Sequence, residues 1–229
     1  MKEADSIMKS DSILDPDIDV WFGEERILSL HRDFSGPSLT LLHQSDLLPK
    51  ALKFWIRREI ASEFLSQDNT NFESHDVDNA LREWSLFHWG HRLETLYLAD
   101  KANLDLVNCS LLRVKDQFLA FELFQRLHSN EVSFEELSWK YGEGAEKSHG
   151  GKFVDVRVEN LPKGLHNVLS KLKIAEVSKP HRFGKWFGIL ILDARTPACF
   201  DESVKTLLLN RELDCWLNAA VERLELHLK

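Results

Sequence analysis

The apolar residues of this chain follow a helical period at both ends and another pattern between them, and this change constrains the fold most. Near the N-terminus, one stripe recurs at three- and four-residue steps: Leu52, Trp55, Ile56, Ile60 and Phe64. A similar stripe runs from Leu81 to Tyr97, and a longer one from Val204 to Leu224. Such spacing is typical of amphipathic helices. We therefore predict an N-terminal helical bundle and a C-terminal helix, capped by Asp201, that packs back on the bundle.

The residues between these stripes have the pattern of short strands and short helices. Leu106–Val114 is a short apolar run, typical of a buried strand. Asp116 can cap a following helix, and Ser133 with Glu136 forms a capping box at the start of another. Later strands are expected at 152–156 and 186–192, with a helix near 164–172 and an extended piece at 177–183 between them. The order β-α-α-β-α-β-β predicts an α+β domain, in which helices cover a small antiparallel sheet.

These patterns divide the 229 residues into four segments. Residues 1–37 alternate acidic and polar groups and are expected to form a mobile acidic arm. Residues 38–106 are expected to form the N-terminal helical domain, and residues 107–197 the α+β domain. Residues 198–229 are expected to form the C-terminal helix that completes the helical domain.

Composition and charge exclude several classes of function. The net charge of −8 argues against nucleic-acid binding, which needs basic groups to neutralise phosphates. No run of eighteen apolar residues is present, so membrane insertion is not expected. The N-terminus lacks the basic start and apolar stretch of a secretory signal. The three widely spaced cysteines form no CxxC pair, which favours reduced thiols and a cytoplasmic location.

Neither a metal site nor a cofactor site is predicted. His88 and His91 lie three residues apart on a predicted helix, but two histidines are only half of a metal site. No carboxylate or cysteine stands at helical spacing beside them. The glycine-rich loop at 142–151 lacks the Gly-Lys-Ser/Thr sequence of a phosphate-binding loop, so its glycines are expected to serve the turn.

Four short motifs of the α+β segment, in order and at matching distances, resemble the parvulin family of peptidyl-prolyl isomerases. Leu111–Lys115 looks like the first strand of parvulins, and Phe134–Tyr141 looks like their "dFaelAkkyS" helix. Gly150–Val154 stands where parvulins have "GGdLG", and Leu172–Pro180 matches "L..GevS.P". The resemblance covers about residues 108–195, and the flanking helices are similar to those of the SurA and PrsA foldase chaperones. It implies a parvulin fold and a polypeptide client.

The resemblance also implies which residues stand at the polar catalytic positions of parvulins, and most of these positions are substituted. The first-strand histidine falls at Ser110, and the final-strand histidine falls at Gly188. The Cys/Asp position falls at Gly144, with Glu143 as the nearest acid, and the hydroxyl position falls near Lys185. Ser110 and Glu143 are therefore the candidate catalytic residues, and Lys185 is a candidate substrate-binding residue.

The apolar proline pocket of the family is better kept. Leu161 and Leu165 stand at its Met and Phe positions, and Phe183 lies at its edge. These three residues are the remaining candidates for substrate binding. Three histidines lie nearby in sequence and are candidates to replace a lost catalytic group: His149, His166 and His181.

The sequence therefore predicts a parvulin-like protein that binds extended or proline-containing segments of a client polypeptide. It would act as a chaperone or as a maturation or export accessory, with weak or no isomerase turnover. One alternative is an active isomerase that uses Ser110, Glu143 and a relocated histidine. Another is a structural adaptor, in which the 201–229 helix binds a component of a secretion or maturation machinery.

Overall fold

The computed structural model describes residues 16–65 and 74–228, and these residues form two compact units. The first unit comprises the described residues up to Leu96 and from Asp201 onward, and the second comprises Tyr97–Phe200. The second unit thus begins ten residues before the predicted boundary at 107. Its two ends are joined, because the Tyr97 hydroxyl donates to the Ala198 carbonyl at 2.7 Å and the Ala198 N–H donates to Asp105 at 3.0 Å.

The first unit is a bundle of helices. They are α1 (Ile18–Asp33), α2 (Gly36–Gln44), α3 (Leu48–Leu65), α4 (Ser74–Trp89), the first turn of α5 (Leu93–Leu104) and α9 (Glu202–His227). The Asp201 carboxylate caps α9 by accepting from the Val204 N–H. Helix α9 packs on α3 and α4, where Lys53 pairs with Asp214 at 2.7 Å and the Trp84 and Trp216 rings lie 5.0 Å apart. The predicted bundle with a returning C-terminal helix is confirmed.

Helix α1 corrects the prediction that residues 1–37 form a mobile arm. Asp17 caps this helix by accepting from the N–H groups of Asp19 and Val20, and Phe22 is buried. The Trp21 ring packs edge-on against Trp216 at 5.4 Å. The backbone of Gly23 is not helical and divides α1 into two segments, and apolar side chains of the first segment pack on the surface that α9 supplies. Residues 1–15 lie outside the described part of the chain.

Whether a helix could cross a membrane is a question about the helices of both units. Within residues 16–65 and 74–228, no helix has both the length and the apolar character that crossing a membrane requires.

The second unit is an α+β domain with one four-stranded sheet. Its strands are β1 (Leu106–Val114), β2 (Lys152–Arg157), β3 (His181–Phe183) and β4 (Trp186–Thr196), in the order β2-β1-β4-β3 with antiparallel pairing throughout. Its helices are the rest of α5, α6 (Gln117–His128), α7 (Phe134–Tyr141) and α8 (Leu165–Leu169). The predicted order of strands and helices is confirmed.

The central strand β1 divides the core of this domain into two parts. Val107, Cys109 and Leu111 point to one side, where they pack with α8 and the segment just before it. Leu112 and Val114 point to the other side, where they pack with α6 and α7. This alternation follows from the two-residue period of a strand. We call these sides the α8 face and the α6–α7 face.

Local capping signals place the two helices of the α6–α7 face. Asp116 accepts from the N–H groups of Phe118 and Leu119 at the start of α6. At the start of α7, Ser133 and Glu136 exchange the two hydrogen bonds of a capping box. Both predicted helix starts are confirmed.

Candidate functional site

A cleft of about 550 Å³ opens on the α8 face of the sheet. It lies where the end of β1, the start of α8 and the β3–β4 turn come together. Its wall consists of cationic, aromatic and small residues: Arg113, Pro162, Lys163, Gly164, Leu165, Arg182, Phe183, Gly184 and Trp186.

The apolar floor of the cleft is dominated by the half-buried ring of Phe183. A Cβ atom at Gly188 would lie 2.7 Å from Cε2 of Phe183 and 3.3 Å from Cδ1 of Leu111. A Cβ atom at Gly164 would lie 3.1 Å from Cδ1 of the same ring. The two glycines therefore leave the space that the ring fills, and Leu165 is fully buried beneath the cleft.

An ion pair between Arg113 and Glu146 forms one side of the cleft. The Arg113 Nε–H donates to Oε1 of Glu146 at 2.7 Å, and a second guanidinium nitrogen donates to Oε2. The side chain of Glu146 is only 4% exposed, and that of Arg113 is 20% exposed. Hydrogen bonding to Glu146 raises the pKa of the Arg113 guanidinium above its ordinary value. A side chain at Gly144 would overlap the Glu146 carboxylate, so the glycine gives this carboxylate its place.

The ring of Trp186 on the cleft wall is surrounded by cations. The Lys115 and Lys185 ammonium nitrogens lie 5.2 and 5.4 Å from the ring centre, and Cζ of Arg113 lies 6.0 Å from it. Each cation is within the range at which the electron-rich face of an indole attracts positive charge. The cleft thus combines a hydrophobic floor with a positively charged rim.

The structure brings together the four predicted substrate-binding residues at or under this cleft. Leu165 and Phe183 line it. Leu161 lies below it, buried in the same hydrophobic core. Lys185 stands beside the Trp186 ring on the rim.

The structure places Ser110, the first candidate catalytic residue, away from the cleft. Ser110 is buried on the α6–α7 face of β1, and its hydroxyl donates to Oδ2 of Asp193 at 3.3 Å. The neighbouring Leu111 points to the α8 face, where it is fully buried beside Phe183. The residue of β1 that lines the cleft is Arg113. Successive side chains of a strand point to opposite faces, so the Ser110 side chain points away from the cleft.

Glu143, the second candidate, is exposed and bonded to the end of β1. Its carboxylate accepts from the Lys115 N–H at 3.1 Å and pairs with the Lys115 ammonium at 3.3 Å. The Lys115 N–H, together with this ammonium, holds the pKa of the Glu143 carboxyl below its usual range. Glu143 therefore holds the loop onto the strand and does not line the cleft.

The three histidines proposed as replacements do not line the cleft. Nδ1 of His149 lies 2.8 Å from the hydroxyl of Ser148 in an exposed loop. His181 begins β3 and lines a separate groove, where burial and the nearby Lys171 charge lower the pKa of its imidazole.

Sequence reasoning did not identify Arg113, Glu146 and Trp186 as site residues. One local signal was available for Arg113, since it stands two residues after Leu111 and must share its face of β1. No such signal existed for Glu146, because its burial depends on a partner 33 residues away in the chain.

One protein family matches the domain that carries the cleft. Residues 113–194 match the profile of the rotamase family, the PPIC-type PPIase domain. No curated protein matches the sequence. Among solved structures, the chain is similar to the peptidylprolyl isomerase PrsA of Bacillus anthracis, with 15% identity, 90% of this chain and 98% of that chain covered, and a TM-score of 0.47.

Two further structures resemble the chain at a similar level. The foldase protein PrsA of Streptococcus pneumoniae has 14% identity, coverage of 87% of each chain and a TM-score of 0.46. A structure from the work on PEB4 and Cj1289, two SurA-like chaperones of Campylobacter jejuni, has 16% identity, coverage of 93% of each chain and a TM-score of 0.37. The family profile covers the end of β1, all of β2 and β3, most of β4 and the glycines of the cleft. The chain therefore contains a parvulin-type peptidyl-prolyl isomerase domain of the PPIC family.

Proposed function

We propose that the cleft binds extended or proline-containing segments of a client polypeptide, and that the protein acts as a chaperone or maturation accessory with weak or no isomerase turnover. The observation that carries this proposal is the combination of an apolar floor with an open, polar rim. The half-buried ring of Phe183, with Leu165 packed beneath it, offers the hydrophobic surface that a proline ring or another apolar side chain can contact. Ligand sites commonly join such a surface with a few placed polar groups.

The chemistry of isomerisation supports weak turnover. The amide must lose its resonance as it twists, which sets a barrier of about 18–20 kcal/mol. An enzyme lowers this barrier by aiming donors at the twisted group in a water-poor site. At the two positions where the resemblance places the histidines of parvulins, this domain has Ser110 and Gly188. The Ser110 side chain points to the α6–α7 face, and Gly188 has no side chain that could donate a hydrogen bond. Two guanidinium groups line the cleft: that of Arg113 already donates twice to Glu146, and that of Arg182 donates its Nε–H to the Gly184 carbonyl.

The family match favours a second candidate function, an active isomerase. In that case the rim cations would stabilise the twisted amide and the Phe183 floor would hold the proline. The two candidates differ in turnover and agree on where the peptide binds.

The test compares binding and turnover on one fluorescein-labelled, proline-containing peptide. Fluorescence anisotropy measures binding, and NMR exchange spectroscopy measures cis/trans interconversion of the same peptide with a catalytic amount of protein. The variant is Trp186→Ala, because this residue is half-buried on the cleft wall and lies outside the core clusters. Trp139→Ala is the matched control, since Trp139 is 55% exposed on α7 and does not line the cleft.

We expect the peptide to bind the unchanged protein and Trp139→Ala equally, and to bind Trp186→Ala more weakly. We expect interconversion to stay near its uncatalysed time of about tens to hundreds of seconds. Rapid interconversion that Trp186→Ala abolishes would establish the active isomerase instead. Absence of binding to the unchanged protein would refute both candidates and favour the adaptor interpretation.

A further inference from the structure

The separate groove that His181 lines lies beside the edge of the sheet and has a volume of about 680 Å³. We call it the edge groove. One wall is the C-terminal end of α6, and the other is formed by the end of α8 and the segment that leads from it into β3. The described residues that line it are all different from those that line the cleft. Ligand sites commonly enclose about 300–1,000 Å³, so the edge groove is large enough to receive side chains of a partner.

The floor of the edge groove is apolar and draws on both halves of the domain core. Val168 and Leu172 belong to the core of the α8 face, and Phe124, Leu127 and Val177 belong to the core of the α6–α7 face. Leu127 and Val168 are buried, whereas the other three side chains are only half-buried. A partner that covered these three would remove further apolar surface from water, which is favourable.

The edge groove carries positive charge on a chain whose net charge is −8. Lys171 and Lys179 line it, and both are exposed. Among the described lining residues, Glu176 is the only acid, and its carboxylate already accepts from the Lys173 N–H at 2.9 Å. Two ammonium groups are therefore set against one carboxylate that is already hydrogen-bonded, and this charge complements an acidic partner.

The backbone beside the edge groove has several of its polar groups already engaged. The N–H groups of Ala175 and Ser178 donate to carbonyls of β4 at 2.8 Å. The Lys179 carbonyl accepts from the Ser178 hydroxyl at 2.9 Å, and Pro180 has no N–H to donate. An added strand needs a row of free N–H and C=O groups, and Pro interrupts such a row. We therefore expect an occupant that satisfies its own backbone hydrogen bonds, as a helix does.

We propose that the edge groove docks an amphipathic helix of a partner polypeptide, with apolar side chains on the face toward the groove and carboxylates along its flanks. Apolar residues three and four positions apart on such a helix would cover the half-buried floor. Carboxylates on the flanks would lie near Lys171 and Lys179, and basic side chains there would meet like charge. This inference goes beyond the proposed function, because it places a second polypeptide site on the domain that is filled independently of the cleft.

The test uses a fluorescein-labelled acidic helical peptide, Glu-Glu-Leu-Leu-Glu-Ala-Leu-Leu-Glu-Glu-Leu-Leu-Glu-Ala, and a version with Lys in place of every Glu. Anisotropy titrations in about 20 mM NaCl give Kd where exposed charges are weakly screened. They are repeated with an excess of the unlabelled proline-containing peptide, which is directed at the cleft. Carbon chemical shifts of the isotope-labelled acidic peptide report whether it is helical when bound.

The variant is Lys171→Ala/Lys179→Ala, which removes both lysines of the edge groove. The matched control is Lys140→Ala/Lys147→Ala. It removes two exposed charges from the same domain and leaves the linings of the groove and the cleft unchanged.

We expect the acidic peptide to bind the unchanged protein and the control equally, and to bind the variant about fivefold more weakly, because each exposed ion pair contributes little. The Lys version should bind the unchanged protein at least about tenfold more weakly than the acidic peptide. The bound acidic peptide should show helical shifts, and the proline-containing peptide should not displace it.

Four outcomes would overturn the proposal: no binding of the acidic peptide, equal binding by the variant and the unchanged protein, displacement by the proline-containing peptide, or bound shifts of an extended chain. None of the first, second and fourth touches the proposed function, which stands or falls with binding of the proline-containing peptide at the cleft. Displacement would place the acidic peptide in the cleft and leave that function standing.

Discussion

Replacing Gly188 by alanine tests whether the Phe183 ring fills the cleft as described. Gly188 lies in β4 opposite Arg113 of β1, and its missing side chain leaves room for the ring. The new Cβ atom would lie 2.7 Å from Cε2 and 2.9 Å from Cδ2 of Phe183, well inside van der Waals contact. Cδ1 of Leu111 at 3.3 Å needs to give way only slightly. The ring of Phe183 must therefore move for the alanine to fit.

Two opposing effects set the size of the change. An added carbon in a packed region typically costs about 1–3 kcal/mol. Alanine also removes the entropic disadvantage of glycine in a strand, which is worth about 0.5–1 kcal/mol. We expect the clash to dominate, so that Gly188→Ala lowers the free energy of unfolding of this domain by about 1–2 kcal/mol. In a Phe183→Ala background the clash is absent, and the same substitution should stabilise by about 0.5–1 kcal/mol.

The measurement is native-state hydrogen exchange of the amides in β1 and β4, for the unchanged protein, the two single variants and the double variant. Exchange at these amides reports the opening of this sheet separately from the helical bundle. The four values form a double-mutant cycle, and we expect a coupling energy of about 2 kcal/mol between the two positions. The same effect of Gly188→Ala in both backgrounds, or a stabilisation in the unchanged background, would refute the inferred packing of Phe183.

Three further predictions concern the surroundings of the cleft. Glu146→Ala removes the carboxylate partner of the half-buried Arg113 guanidinium and should lower the free energy of unfolding by about 3 kcal/mol. Replacement of the exposed Glu143 by alanine should have a much smaller effect, and equal losses of stability in urea unfolding would contradict this. Burial raises the pKa of the Cys109 thiol to about 12, so the native protein at pH 8 should titrate two thiols with a disulfide reagent and the third only in denaturant; three fast thiols would contradict its burial. Ser133→Ala should destabilise α7 by about 1 kcal/mol near neutral pH. Hydrogen bonds from Ser133 lower the pKa of the Glu136 carboxyl. The stability that Glu136 contributes is therefore present above its unfolded pKa and lost as the pH falls through its folded pKa. If Ser133→Ala lowers the stability by the same amount at every pH, this reasoning is contradicted.

The sequence by itself determined the elements whose signals are local. Asp116 and Ser133 began helices where predicted, because a cap is satisfied by N–H groups two or three residues away. The apolar run Leu106–Val114 became the central strand, and the long stripe after Asp201 became α9. The motif order also identified the parvulin-type domain, because it records the spacing of these same local elements.

Signals that depend on a distant partner could not be read in this way. The apolar residues of the stretch that became α1 are interrupted at Gly23, where the backbone is not helical, and Trp21 of this stretch packs on Trp216 of α9, nearly 200 residues later. The position of Ser110 away from the cleft has a different cause: a strand has two faces, and the residues alone do not say which face meets which helix.

Only the tertiary structure decided the chemistry of the cleft. Five cations, scattered from residue 113 to 185, converge because β1, the start of α8 and the β3–β4 turn meet at one edge of the sheet. Glu146 became a buried partner of Arg113 because the loop after α7 folds back over the end of β1. Sequence determines which side chains are available, but their charges and rings act on one another over distances of a few ångströms, and such distances are set only when the sheet closes.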